Sequence, residues 1–241
     1  MLEQLQQSIK NGFEGFHVVF QPLYIVQANE RRIVGYETLA RWEFADPETF
    51  IPLAEQNGLI NAIGDWVVDE MLSVIRPILN DEPTVKFYFN LSGKQISLNC
   101  TFVQTLKEKL ALYEIPSCRI GVELTETVVV EDHKSVQNMV DELTSFGIAV
   151  ALDDYGVGYS GMSRLQALNI NRLKIDRSFV RIDDKKSMSI IKNTLNMAQE
   201  MGIEVIIEGI ETENQLKALS DMGATLFQGY LLGKPQRFTG A

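Results

Sequence analysis

From about residue 86 onward, short runs of β-branched and aromatic residues alternate with longer segments in which apolar positions recur every three or four residues. The runs are KFYFNLS (86–92), RIGVELTE (119–126), IAVALDD (148–154), RLKID (172–176), EVIIEG (204–209) and TLFQGYLL (225–232). Phe102, Leu106 and Leu110, four apart, predict one face of a helix over residues 99–112. Thr212 and Gln215 have the spacing of a capping box. Gly147, Gly202 and Gly223 each stand between a helical stretch and a strand, where a left-handed helix end is needed. This alternation predicts βα units around a parallel sheet. Near the start, FHVVFQPL (16–23) and RIVGYETLARW (32–42) lie too close together for a helical crossover and predict an antiparallel pair, followed by a long amphipathic helix over 60–79. Eight strands with intervening helices in 241 residues predict an α/β fold, a (β/α)8 TIM-type barrel with an antiparallel strand near the N-terminus. One domain over 1–241 is expected, with an N-terminal helical segment over 1–15. An open doubly wound sheet is the alternative, and no glycine-rich phosphate fingerprint follows any strand.

Polar residues interrupt the apolar runs at equivalent places. Glu37 breaks GYETL, Asn90 ends KFYFN, Glu123 and Glu126 mark VELTE, Asp153 and Asp154 end the next run, Lys174 sits in LKID, Glu208 ends VIIEG, and Gln228 lies in LFQGY. In a barrel these ends converge on the face where active sites are built. A lone acidic residue at a strand end is more often a helix cap or a solvated loop residue. Capping does not explain Lys174 and Gln228, which do not serve as helix N-caps, in places equivalent to that of Asn90. Crowded carboxylates repel one another and lose solvation, so some must protonate unless cations are present. Oxygen donors without histidine or cysteine select a hard divalent ion, Mg²⁺ or Mn²⁺ ahead of Ca²⁺. The adjacent pair Asp153 and Asp154 suits two ions, provided the chain leaves strand geometry at Asp154, which Gly156 allows. Lys174 alone reads as a buried ion pair. Beside two divalent ions an ammonium can orient a bound water and stabilise charge on a phosphoryl oxygen, which points to phosphodiester hydrolysis.

The formal charge of −10 opposes binding to a DNA or RNA polymer or to an anionic membrane. No segment approaches the roughly 18 uncharged apolar residues of a membrane span, and the first ten residues have no signal-type apolar core, so a cytoplasmic protein without membrane insertion is expected. The two cysteines, Cys100 and Cys118, read as reduced thiols, and His17 and His133 as structural or surface residues.

With these residues in view, the sequence resembles the EAL-domain family of bacterial cyclic di-GMP phosphodiesterases. The matching pieces are FQPL (20–23), ETLARW (37–42), FIPLAEQNGLI (50–60), FNLS (89–92), ELTET (123–127), LDDYGVGYS (152–160), LKIDRSFV (173–180), IEGIE (207–211) and FQGYLLGKP (227–235), in the family's order over nearly the whole chain.

The resemblance implies cleavage of one phosphodiester of cyclic di-GMP to linear pGpG with two Mg²⁺ or Mn²⁺ ions. It implies Glu37, Asn90, Glu123 and Asp153 as ligands of the first ion, Asp153 with Asp154 at the second, and Glu208 at the metal, assisting deprotonation. Lys174 matches the lysine that positions the attacking water, so Lys174, Glu208 and Glu37 form the implied catalytic set. Gln21, Leu39, Arg41, Asp176 and Gln228 are the implied substrate-contacting positions. Glu126 is similar to the glutamate that tethers the loop DYGVGYSG, and Glu211 is a supporting residue. A homodimer and an accompanying sensory or cyclase domain are further implications. Thr38 stands where alanine is usual, Gly161 where serine is common, and the segment between Trp42 and Phe50 is shorter than typical. The rival reading is a catalytically silent cyclic di-GMP receptor that signals through protein partners. Silent members usually lack one or more carboxylates, and here every expected position is filled.

Overall fold

The β-branched runs become the staves of a closed barrel, with strand order β1 to β8. The structure, a computed structural model, describes residues 1–28, 30–82, 84–98, 101–125, 133–156 and 168–238. The strands are β1 (Phe16–Gln27), β2 (Glu30–Trp42), β3 (Lys86–Leu91), β4 (Ile120–Thr125), β5 (Ala149–Tyr155), β6 (Arg172–Ile175), β7 (Glu204–Ile207) and β8 (Leu226–Phe227). Strands β2 to β8 run parallel, and β1 is antiparallel to both β2 and β8. The reversal puts Gln21 of β1 directly across from Glu37 of β2.

Helices α1 (Leu2–Lys10), α2 (Pro47–Gln56), α3 (Ile60–Asp81), α4 (Gly93–Leu98), α5 (Phe102–Leu112), α6 (His133–Ser145), α7 (Lys185–Met201) and α8 (Glu213–Asp221) accompany the barrel. The face foreseen on α5, Phe102, Leu106 and Leu110, is buried. The capping box at Thr212 and Gln215 is formed, and Gly147, Gly202 and Gly223 all have φ between 69° and 99°. Among the described residues no helix is long and apolar enough to cross a membrane.

Several boundaries differ from the sequence reading: the N-terminal helix expected over 1–15 forms over Leu2–Lys10, and the strand expected over 204–209 ends at Ile207. The strand expected over 225–232 ends at Phe227, because the backbone turns back on Ile210: Leu231 N–H donates to the Ile210 carbonyl, and a Cβ on Gly229 would lie 2.2 Å from the Ile210 backbone. The helix expected from residue 99 begins at Phe102, and residues 99–100 lie outside the described set. The hairpin strands are longer than expected, because pairing continues from Tyr24 to Gln27 after a register shift.

The middle of the barrel is plugged from within. Tyr88 lies against Gly121, where a Cβ would meet the ring at 2.1 Å, and its hydroxyl accepts a hydrogen bond from the Arg172 guanidinium, which in turn bonds Glu204 at 2.7 Å. Tyr88 and Arg172 each precede a candidate site residue, Asn90 and Lys174, by two positions, so they lie one layer below it on the inward face. This plug is the floor of the site.

Candidate active site

Lys174, 1% exposed, is the centre of the upper layer. Its Nζ lies 2.6 Å from Glu123 Oε2, 2.8 Å from Glu208 Oε1, 3.2 Å from Asp153 Oδ2 and 3.3 Å from Glu37 Oε2. Glu37, 8% exposed, also accepts from Asn90 Nδ2 and Gln228 Nε2, each at 2.8 Å. Asp154 has φ 56°, and the β5–β6 pairing shifts register between Leu152 and Tyr155. This is the departure from strand geometry that two adjacent ligating aspartates require, and the backbone N–H of Asp154 donates to Asp153 Oδ1 at 2.9 Å. A non-glycine residue held in the left-handed region carries a strain cost of roughly 1 kcal/mol or more.

Two sets of carboxylates therefore form around one ammonium. Glu37, Glu123 and Asp153 bring one oxygen each to within 4.8 Å of one another, and so do Asp153, Asp154 and Glu208; Asp153 belongs to both. At that separation and an effective dielectric of about 20, each carboxylate pair repels by about 3 to 4 kcal/mol. One lysine does not offset five negative charges, and the acidities show it. Burial works against the charge on Lys174, but Asp153, Glu123, Glu208 and Glu37 outweigh it and hold the ammonium well above its ordinary value. Burial would raise Glu37 too, yet the Lys174 charge and hydrogen bonds from Asn90, Gln228 and Lys174 keep it below the usual range. Burial and then the Glu37 charge lift Glu123 well above that range, against the pull of Lys174. Burial pushes Glu208 up to about 8, with Lys174 pulling it down and Asp153 and Glu37 pushing it up. Burial and then Asp153 raise Asp154. Without further cations the cluster thus retains protons near neutrality. Clustered oxygen donors holding more negative charge than they can carry fit hard divalent ions.

A pH experiment reads this directly. Glu208 titrates near 8 when folded and near 4.5 when unfolded, so the folded state binds the extra proton between those values and loses stability as pH rises through them. Glu123 acts in the same direction; Glu37, depressed, and Lys174, raised, contribute little change in this window. In EDTA, urea unfolding is expected to lose a few kcal/mol between pH 5 and 8, at about 1.4 kcal/mol per unit of pKa difference. Glu208→Gln should flatten the slope, and so should saturating Mn²⁺ in the unsubstituted protein. An equal slope for Glu208→Gln in EDTA would rule the explanation out.

Two cavities flank the cluster. One of about 220 Å³ is lined by Gln21, Glu37, Asp176, Glu208, Glu211 and Gln228, together with Arg177 and the exposed Tyr230. The other, about 520 Å³, includes Leu39, Arg41, Asn90, Ser92 and Glu55 in its lining. The implied substrate positions are therefore brought to the same mouth but split between its two sides. Gln21 Nε2 reaches the Gly233 carbonyl at 3.5 Å, Asp176 accepts from Ser178 N–H at 2.9 Å, and Arg41 donates to the Ala40 carbonyl at 2.8 Å. Glu211 gives its backbone N–H to Gln215 Oε1 at 2.9 Å. Glu126 and most of the loop expected to contact it, including Gly161, lie outside the described residues. Thr38 points away from Glu37, as strand alternation requires, and is buried; among the described residues its hydroxyl has no hydrogen-bond partner. Sequence reasoning missed Arg177, Tyr230, Glu55 and Ser92 at the mouth; each lies within four residues of a quoted motif residue or inside a quoted motif, but none interrupts an apolar run.

Residues 2–235 match the EAL domain family. The chain belongs to the EAL domain family. The cyclic di-GMP phosphodiesterase PA2567 of Pseudomonas aeruginosa is 30% identical to this EAL domain over 242 residues, covering 98% of this chain and 40% of that protein. The cyclic di-GMP phosphodiesterase PdeF of Escherichia coli is 30% identical over 243 residues, covering 98% and 32%. The PaMucR phosphodiesterase, solved as a complex with c-di-GMP, has a TM-score of 0.90 at 28% identity, with 98% of each chain covered. This EAL domain spans about a third to two-fifths of the length of those two curated relatives.

Proposed function

We propose that this EAL domain, acting as one catalytic unit over residues 1–241, hydrolyses one phosphodiester bond of cyclic di-GMP to give linear pGpG. The observation that carries the reading is Asp153, shared by two carboxylate sets around a buried lysine at the C-terminal mouth of the barrel. Relatives named as cyclic di-GMP phosphodiesterases support the substrate. In this reading Glu37, Asn90, Glu123 and Asp153 hold one divalent ion, and Asp153, Asp154 and Glu208 hold the other. Bound there, Mg²⁺ or Mn²⁺ neutralises the cluster, polarises a phosphoryl oxygen and lowers the pKa of water.

The protein's own groups do the positioning. Lys174 has three N–H protons for four carboxylates, so once two of the carboxylates are engaged elsewhere a proton is free for the attacking water or for charge developing on the phosphate. Glu208, between the cluster and the smaller cavity, takes the proton of that water. As water adds to phosphorus, the bond to the ribose oxygen breaks, that oxygen takes up a proton from Glu208 or solvent, and the ring opens. Arg41 supplies a cation for phosphate on an acidic protein, on the side of Leu39 and Asn90. Gln21, Asp176 and Gln228 line the opposite side, so a ligand with two equivalent halves can engage both cavities at once.

Purified protein stripped with EDTA is expected to convert cyclic di-GMP into the linear dinucleotide only after Mn²⁺ or Mg²⁺ is restored, read by reverse-phase chromatography. Nucleotide binding without ion-dependent turnover would instead identify a silent receptor.

A further inference from the structure

A short chain of contacts runs from helix α2 to the carboxylate cluster without touching the reacting groups. Glu55, in the last turn of α2, accepts a hydrogen bond from Ser92 Oγ at 2.5 Å. Ser92 is the residue between the end of β3 and α4. Its Oγ also accepts from the backbone N–H of Lys94 at 3.2 Å, and its own N–H donates to Gln95 Oε1 at 3.2 Å, so it caps the short helix in the reciprocal manner of a capping box. Gln95 is buried against α3 at Gly64, where a Cβ would meet its amide nitrogen at 2.0 Å. The turn after β3 is thus held from α2 through Glu55 and from α3 through Gln95. Two residues upstream, Asn90 gives its amide to Glu37 at 2.8 Å.

From this geometry we infer that Glu55 is a positioning residue: through Ser92 it fixes the end of β3 and so aims the Asn90 amide at the first-ion ligands. Asn90 is itself exposed at the cavity, and no other side-chain hydrogen bond of its amide is seen among the described residues, so its direction depends on the backbone that carries it. The Ser92 hydroxyl donates to Glu55 and accepts from Lys94, a pattern that sets its rotamer and with it the turn. Without Glu55 the cap on α4 and the hold from α3 through Gln95 persist, but the link to α2 is lost and the turn keeps one restraint fewer. Partners that orient metal ligands commonly change metal affinity by 10- to 100-fold when removed. The inference rests on the proposed roles of Asn90 and Glu37, and its test is arranged to fail separately from them.

The test is Mn²⁺ binding, measured by the loss of the free Mn²⁺ paramagnetic resonance signal, with Glu55→Ala, Glu55→Gln and Ser92→Ala in the full chain. Glu55→Ala and Ser92→Ala are each expected to weaken the tighter Mn²⁺ site by about 10- to 100-fold. The double variant should add little to either single one, because both remove the same bond. Glu55→Gln, which keeps an oxygen acceptor for Ser92, should stay within about threefold of the unsubstituted protein. In turnover, the Mn²⁺ activation constant should rise in Glu55→Ala and stay within about threefold of the unsubstituted value in Glu55→Gln. A general loss of stability would also weaken Glu55→Gln. Unchanged Mn²⁺ affinity in Glu55→Ala overturns the inference, as does a Glu55→Gln variant as weak as Glu55→Ala. Tight Mn²⁺ binding without cyclic di-GMP hydrolysis in the unsubstituted protein would instead refute the proposed reaction while leaving the positioning role to be decided by the same binding data.

Discussion

Lys174→Met is expected to leave a protein that folds normally in Mn²⁺ and has lost at least about 1,000-fold in turnover. Methionine keeps the length of the lysine stem and removes the charge. Lys174 has two separable tasks, and divalent ions can substitute for only one of them. The first is electrostatic: it sits within 3.3 Å of four carboxylates, and deleting it leaves those charges buried without compensation. Breaking a buried ion pair by removing one partner typically costs about 3 to 5 kcal/mol, here softened because Glu123 and Glu208 hold protons readily. Thermal unfolding in EDTA should therefore shift down by several degrees, and Mn²⁺ should restore it. The second task, proposed above as donation to water and to phosphoryl charge, needs an N–H donor within the cluster, which a divalent ion does not supply. Recovery of turnover to within tenfold of the unsubstituted protein in saturating Mn²⁺ would reduce Lys174 to a structural counter-ion and sink the proposed mechanism.

Glu37→Ala is expected to abolish hydrolysis in the presence of Mn²⁺. Glu37 is the acceptor that Asn90, Gln228 and Lys174 share, so one substitution removes three hydrogen bonds and one member of the first carboxylate set. Glu37→Gln is informative beside it. An amide can accept through one oxygen, but its nitrogen would face a donor on the other side, so little recovery is expected. Equal rates for Glu37→Ala and the unsubstituted protein, in a chromatographic assay with Mn²⁺, would show that the ions are held elsewhere.

The barrel and most of its mouth were legible because the same physics wrote both into the sequence. Strands buried on two sides need continuous apolar runs, and a polar residue survives in such a run only where something satisfies it. That is why Glu37, Asn90, Glu123, Lys174 and Gln228 stood out before their side chains were seen together. The bend at Asp154 was legible through Gly156, since two successive aspartates turned toward one cluster conflict with strand alternation unless the chain bends. Other features left no such mark. The early end of β8 depends on the approach of Gly229 to Ile210, a contact between segments far enough apart in sequence that periodicity has nothing to register. Arg177 opens a one-turn 3-10 helix and Tyr230 sits in a turn, where polar and aromatic residues are unremarkable. Glu55 occupies a helix position that is ordinary for a solvated acid, and only the arrival of Ser92 from β3 distinguishes it. Of the implied substrate positions, Leu39 and Arg41 line one cavity and Gln21, Asp176 and Gln228 the other, a division that spacing along the chain does not reveal.

The reversed first strand divides the assembly of the pocket into an early and a late half. Strands β1 and β2 form a hairpin paired from Phe16–Trp42 to Gln27–Glu30, a local contact that closes quickly and already sets Gln21 opposite Glu37. The seam that completes the cylinder, β1 with β8, pairs Tyr24 with Phe227 and Ile25 with Leu226, continues in the Val26 N–H bond to the Thr225 carbonyl at 2.8 Å, and joins the first strand to the last. Gln228 follows that seam immediately and reaches Glu37 only once it is shut. Closing the cylinder is thus also what delivers the Gln228 donor to Glu37, so partial opening at this short seam is expected to disarm the pocket while the longer hairpin holds.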